Sequence, residues 1–218
     1  MVKLIIFDLD GTLLDISERY FRSVKSALRE FGFKCPTKSK VIELKRQNLS
    51  GLQLIDTLIP KNVKNREKIK IKCNKLRYKL LHSKEFLIFD KPFLNTKKTL
   101  RKIKNKKIKL ALLTGRFYKK ITIKQLKKLK LLKLFDFIII DKSNTITSKC
   151  LFIKKICKKF NIPYSECYLV GDSLVEIEAG NLLNILTIGA AYGLSNKIVL
   201  SKKCHRIISD IKEVLKYI

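Results

Sequence analysis

Acidic side chains are scarce in this 218-residue chain: 18 Asp and Glu stand against 49 Lys and Arg, for a formal net charge of +31. Histidine is scarcer still, with only His82 and His205, and the six cysteines (35, 73, 150, 157, 167 and 204) contain no CxxC pair. A zinc site is therefore not expected, and the cysteines read as buried, reduced thiols. Long apolar runs are missing too. A run such as Phe137-Ile138-Ile139-Ile140 falls far short of the roughly 20 residues that span a bilayer, so no membrane segment is expected. No repeat and no low-complexity linker interrupts the chain, whose length suits one large domain or one domain with an insertion. The N-terminus leads straight into an apolar strand without a leader-like stretch, and a cytoplasmic protein is expected.

The positive excess is uneven, reaching +21 over residues 91–160 and zero over 161–218. One reading is an anionic partner such as nucleic acid or acidic lipid. Compositional drift is favoured. Lys outnumbers Arg by 40 to 9, and the lysines lie on polar helix faces without interleaved aromatics or a nucleic-acid motif. Under either reading the field attracts small anionic substrates.

What is present is a pair of acids in an informative place. Leu4-Ile5-Ile6-Phe7 is an unbroken apolar run, as for a strand buried on both faces of a parallel sheet, and Asp8-Leu9-Asp10-Gly11-Thr12-Leu13 follows it. In an open α/β sheet, ligands bind at the carboxyl ends of strands. Unpaired charge there is costly, and a divalent cation with a phosphoryl group would account for it.

Residues 16–84 show helical periods and no strand pattern. Tyr20, Val24, Leu28 and Phe31 form one stripe, with Ser17 as the expected cap, and Ile69, Cys73, Leu76 and Leu80 form another within a helix over 65–82. From about residue 91 strands and helices alternate. Strands are expected at 108–113, 135–140, 168–170, 185–188 and 206–208, with helices capped by Asn95-Thr96 and Ser148 and one at the C-terminus. The fold class expected is α/β, a doubly wound, Rossmann-like parallel sheet formed by residues 1–14 and 91–218, with an all-helical insert at 15–90.

Four polar positions then fall at segment ends: Asp8/Asp10, Thr114, Lys149 and Asp172. Together they suit phosphoryl transfer. One carboxylate can act as nucleophile and another as general acid and base. A hydroxyl and a lysine can hold the non-bridging oxygens, and a further acid can complete an all-oxygen magnesium site.

The motifs Asp8-Leu9-Asp10-Gly11-Thr12-Leu13, Leu112-Leu113-Thr114-Gly115, Lys149 and Gly171-Asp172-Ser173-Leu174-Val175-Glu176, in this order, resemble the four motifs of the haloacid dehalogenase superfamily. Asn95 to Gly115 and Ile162 to Gly193 resemble the core of its phosphoglycolate phosphatase-like branch, and the helical insert resembles that branch's cap. The resemblance implies Asp8 as nucleophile and Asp10 as general acid/base, with its main-chain carbonyl toward the metal. It implies that Thr114 and the Gly115 amide bind phosphate, that Lys149 steadies Asp8 and the phosphate, and that Asp172 ligates Mg²⁺. Glu176 stands where the family usually has Asp, so it is expected to reach the metal through water, with Glu178 as the alternative. The Lys-Pro run often found at the third motif is absent, which leaves Lys142, Lys154 and Lys155 as rivals of Lys149. Ile16 replaces a small polar residue common after the first motif.

Substrate choice is expected in the cap, which in this branch closes over the site. The break Lys45-Arg46-Gln47-Asn48-Leu49-Ser50-Gly51 is the candidate specificity loop, with Arg46 and, from the core, Arg116 as candidate substrate contacts. The expected activity is a magnesium-dependent phosphatase for a small phosphorylated metabolite, phosphoglycolate-like first, in a monomer or homodimer. A nucleotidase or sugar-phosphate phosphatase is the alternative. Phosphoglucomutase-like transfer is disfavoured because Thr114-Gly115-Arg116 does not resemble that group's second motif. A basic nucleic-acid-binding protein with weak or no catalysis is the reading from another class.

Overall fold

The computed structural model describes residues 1–218. The chain packs as two compact units, Met1–Asp15 with Lys91–Ile218, and Ile16–Asp90.

The first unit is built on a six-stranded sheet. Its strands are β1 (Leu4–Phe7), β4 (Lys109–Thr114), β5 (Phe137–Ile140), β6 (Cys167–Gly171), β7 (Leu186–Ala190) and β8 (Arg206–Ile208). They lie in the order β5-β4-β1-β6-β7-β8, and every neighbouring pair is parallel. The four residues of β1 are fully buried between β4 and β6, which is why their sequence is apolar without alternation. The chain runs outward from β1 through β4 to β5, then returns to β6 and runs outward the other way. The reversal places the switch point at the carboxyl ends of β1, β4 and β6. Helices α6 (Thr96–Asn105), α7 (Lys119–Lys128), α8 (Ile146–Phe160), α9 (Leu174–Leu182) and α10 (Lys197–Ser201) connect the strands. The C-terminal segment, expected as an α-helix, is a 3₁₀ helix over Ile211–Tyr217.

Two further strands escape the sequence pattern because each has two residues: β2 (Leu14–Asp15) pairs antiparallel with β3 (Lys91–Pro92). Asp15 pairs with Lys91 and so belongs to the first unit, one residue beyond the expected boundary.

The second unit contains α1 (Ser17–Glu30), α2 (Lys38–Arg46), α3 (Gly51–Leu58), α4 (Arg66–Leu81) and α5 (Lys84–Leu87), with no strand among them. Its interior holds a buried ion pair, Arg19 Nε to Asp90 Oδ1 at 2.9 Å.

Three expected caps are corrected. Ser17 is the first residue of α1, and Ile16 before it makes no side-chain cap. Asn95 precedes α6 in a left-handed conformation (φ 70°), again without a side-chain cap. Thr145 caps α8, and Ser148 answers it three residues later in a reciprocal capping box. All six cysteines are free, and three of them, 73, 157 and 167, are buried.

Candidate active site

Asp8 is the first residue after β1 and continues the sheet, its N–H donating to the Val170 carbonyl at 2.9 Å. Its side chain is thereby fixed at the switch point and buried. Lys149, on the first turn of α8, is completely buried. Its ammonium lies 3.7 Å from Asp8 Oδ1 and 2.8 Å from Glu176 Oε1, and donates to the Leu113 carbonyl at 3.2 Å. The rivals Lys142, Lys154 and Lys155 are all exposed. Desolvation would draw protons off this lysine, yet the carboxylates of Glu176 and Asp8 outweigh it and raise its pKa.

Asp8 shows the complementary stress. Burial pushes its pKa well above the usual carboxylate range, the negative charge of Glu176 adds to this, and Asp172 and Asp10 contribute further; Lys149 alone opposes them. Three further acids thus act on Asp8 against Lys149, and with Asp10 held by Arg116 the set still has room for another cation.

Asp172 follows β6 and is buried, with Oδ2 accepting from the Leu194 amide at 2.8 Å. Two glycines leave it room. A Cβ at Gly11, which has φ +85°, or at Gly193 would overlap the Asp172 carboxyl group. Thr114 closes β4 and is buried, and Gly115 follows it, half-exposed.

Asp10 is held by an arginine. Arg116 Nε donates to Asp10 Oδ1 and Oδ2 at 3.0 and 3.1 Å, and its Nη2 also reaches Oδ1. Nη1 donates to Gln125 Oε1 on α7. Bidentate pairing of this kind fixes direction as well as charge. Arg116, expected as a substrate contact, thus has its guanidinium engaged by Asp10 and Gln125. Asp141, which sequence reading passed over, follows β5 and accepts from Ser143 Oγ at 2.6 Å, the Ser143 amide at 3.0 Å and Ser148 Oγ. It ties the start of α8, and hence Lys149, to the sheet.

Comparison with known proteins agrees with this geometry. A family model described as haloacid dehalogenase-like hydrolase matches residues 5–190. The chain belongs to the haloacid dehalogenase-like hydrolases. A Clostridium perfringens protein named "Putative pyrophosphatase PpaX" is 25% identical over 196 residues, which cover 88% of this chain and 85% of that protein. A predicted phosphoglycolate phosphatase from Haemophilus somnus superposes with a TM-score of 0.75 at 22% identity, over 99% of this chain and 97% of the other. A predicted phosphatase from Clostridium acetobutylicum gives 0.74 at 20% identity, over 100% and 98%.

As a haloacid dehalogenase-like hydrolase, the chain has a donor set that fits a hard divalent ion. Mg²⁺ characteristically takes one or two carboxylates and leaves its other positions to water and substrate phosphate. No three acids, histidines or cysteines converge into a closed cage, but Asp8 and Asp172 are two buried carboxylates at adjacent strand ends. Glu176, expected to reach the metal through water, meets Lys149 through Oε1 and accepts from Ser173 Oγ through Oε2. Glu178 is half-exposed. Arg46 lies exposed at the end of α2. Neither histidine joins the site: His205 Nδ1 bonds to Thr187, and the His82 ring packs on Tyr78.

Proposed function

We propose that this hydrolase is a magnesium-dependent phosphatase for a small phosphorylated metabolite, working in the cytoplasm through an aspartyl-phosphate on Asp8. The observation that carries the reading is a carboxylate buried at the switch point, 3.7 Å from a fully buried lysine and crowded by further acids. A bound Mg²⁺, held by Asp8, Asp172 and the Asp10 carbonyl, would neutralise the acids and polarise the phosphoryl oxygens.

The remaining chemistry belongs to the side chains. Thr114 and the Gly115 amide bind the non-bridging oxygens, and Lys149 balances their charge against Asp8. Asp8 Oδ attacks phosphorus as the ester P–O bond breaks, and Asp10 gives its proton to the leaving oxygen. Asp10 then takes a proton from water, whose oxygen attacks the phosphorus and frees Asp8 and inorganic phosphate. Arg116, bonded to both Asp10 oxygens, orients that carboxyl group for these transfers.

A leaving group like glycolate is the leading choice, in line with the predicted function of the Haemophilus somnus neighbour. Pyrophosphate is the second reading, favoured by the name of the Clostridium perfringens relative.

Hydrolysis of para-nitrophenyl phosphate by the purified chain tests the proposal. Turnover should require Mg²⁺, stop with EDTA and vanish in Asp8→Asn. The folded pKa of Asp8 is raised, so its ionised form costs stability as pH rises through that pKa. The neutral amide removes this cost, and Asp8→Asn should melt no lower than the metal-free wild type at pH 7. A stable Asp8→Asn protein with normal turnover would remove the nucleophile from the mechanism.

A further inference from the structure

Cys157 and Cys167 meet inside the first unit. Cys157 lies near the C-terminal end of α8 and is 4% exposed; Cys167, the first residue of β6, is 0% exposed. Their sulfurs stand 3.6 Å apart, although the residues are ten positions apart in the chain. The Cys167 thiol also donates to the Pro163 carbonyl at 3.2 Å. A single buried cysteine packs as a small apolar side chain, but two sulfurs in contact can also react with each other. No third acid, histidine or cysteine joins them in a metal-binding group, and the hydrolytic site uses neither.

The two thiols are not alike. Cys157 lines a surface pocket of about 480 Å³ together with Lys154, Lys158 and Tyr164; Cys167 does not reach it. A hydrogen bond from Cys167 holds the Cys157 thiol below its ordinary range, against the opposing effect of burial. The same hydrogen bond, with burial, pushes Cys167 up. Burial also raises Cys35, Cys73 and Cys204, the second of them to about 11. Cys157 is thus the member of the pair that ionises more readily and the one that a solute in the pocket meets. The thiolate is the reactive form of cysteine.

We infer that Cys157 and Cys167 form a reversible redox site: hydrogen peroxide entering the pocket oxidises Cys157, and Cys167 then closes a disulfide between α8 and β6. In the first step the Cys157 sulfur attacks one peroxide oxygen and the O–O bond breaks. The departing oxygen takes up the proton that Cys157 gave up and leaves as water, and Cys157 becomes a sulfenic acid. In the second step the Cys167 sulfur attacks the Cys157 sulfur, the S–O bond breaks, and the hydroxyl leaves with the Cys167 proton as a second water. Two thiols lose two electrons and two protons, and one peroxide becomes two waters. The sulfurs close from 3.6 Å to about 2.05 Å. The bond joins the helix that carries Lys149 to the strand that leads into Asp172. In a reducing compartment it is transient, reopened by thiol–disulfide exchange. The site stands whatever the substrate of the hydrolase.

The test treats the folded full chain with hydrogen peroxide at pH 7, blocks remaining thiols with N-ethylmaleimide in denaturant, and maps unreduced peptides by mass spectrometry. A Cys157–Cys167 link should form before Cys35, Cys150 or Cys204 is oxidised, and dithiothreitol should reopen it. The oxidised chain should unfold at a urea concentration about 1 M higher, because the closed loop constrains the unfolded chain. Cys167→Ala should accumulate a sulfenic acid at Cys157 that dimedone traps, whereas Cys157→Ala should leave Cys167 a free thiol. The wild-type map decides the pairing even where an alanine variant unfolds, and the variants decide which sulfur reacts first. Oxidation of Cys35, Cys150 or Cys204 ahead of the pair overturns the inference. So does a link from either sulfur to Cys150, equal dimedone labelling of the two variants, or an oxidised chain no more stable than the reduced one.

Discussion

Lys149→Met asks how much the buried lysine stabilises its surroundings. The lysine is 0% exposed and sits 2.8 Å from Glu176 and 3.7 Å from Asp8. Methionine approximates its volume and removes the charge, so two buried carboxylates lose their cation. Breaking one side of a buried pair costs about 3–5 kcal/mol. With a urea slope of about 2 kcal/mol per molar, that is a fall of about 1.5–2.5 M in the unfolding midpoint. The assay is urea unfolding in EDTA at pH 7, followed by far-UV circular dichroism. Removing Glu176 as well should restore much of the loss, because an apolar replacement of both partners is often neutral. The single variant should also regain stability as pH falls, since its stranded acids then bury as neutral carboxyls. A Lys149→Met midpoint within about 0.5 M of wild type would refute the reasoning, a shift of about 1 kcal/mol on the same slope. So would a Lys149→Met/Glu176→Met chain no more stable than the single variant.

Arg116→Ala separates two roles for that residue. If Arg116 orients Asp10, kcat on para-nitrophenyl phosphate falls about 10–100-fold, part of what general acid–base catalysis supplies, and the pH–rate profile moves while KM changes little. A substrate contact would instead raise KM at constant kcat. Asp141→Ala should cost about 1–2 kcal/mol in urea unfolding, because it strips buried hydrogen bonds from the start of α8. Burial pushes the Asp141 pKa up, but hydrogen bonds from Ser143 and Ser148 overcome this and hold it below its ordinary value. Its contribution is therefore present above the unfolded pKa near 4 and is lost as pH falls through the lower folded pKa. The wild-type and Asp141→Ala midpoints should converge below about pH 4.

The core strands and the polar residues at their ends were legible in the sequence because each depends on local pattern. Leu4–Phe7 has no polar residue since both faces of β1 are covered, and each polar residue at a strand end stands out against such runs. Caps were less legible. Thr145 and Ser148 both suit a helix start, and only the geometry shows which is the cap and which reaches back. Contacts between distant residues left no local mark. Arg116 and Asp10 are 106 residues apart, and neither side chain carries a sign of its partner. Arg77 was hidden differently. It follows Cys73 by four residues on the buried face of α4, but in a helix rich in lysine a basic residue reads as solvated surface.

The same hiding explains the net charge. Four cationic side chains are buried: Arg19, Arg77, Arg116 and Lys149. Three of them face carboxylates, at Asp90, Asp10 and the Asp8–Glu176 pair. The excess of 49 bases over 18 acids is therefore carried outside the core, where substitution costs little. In the interior, where burying charge is expensive, Arg19, Arg116 and Lys149 are each matched to an acid. An accumulation of lysine on solvated faces would leave that matching intact, as compositional drift requires. Arg77 is the exception inside the core, bonded to Asn74 with no carboxylate beside it, and surface drift offers no reason for it.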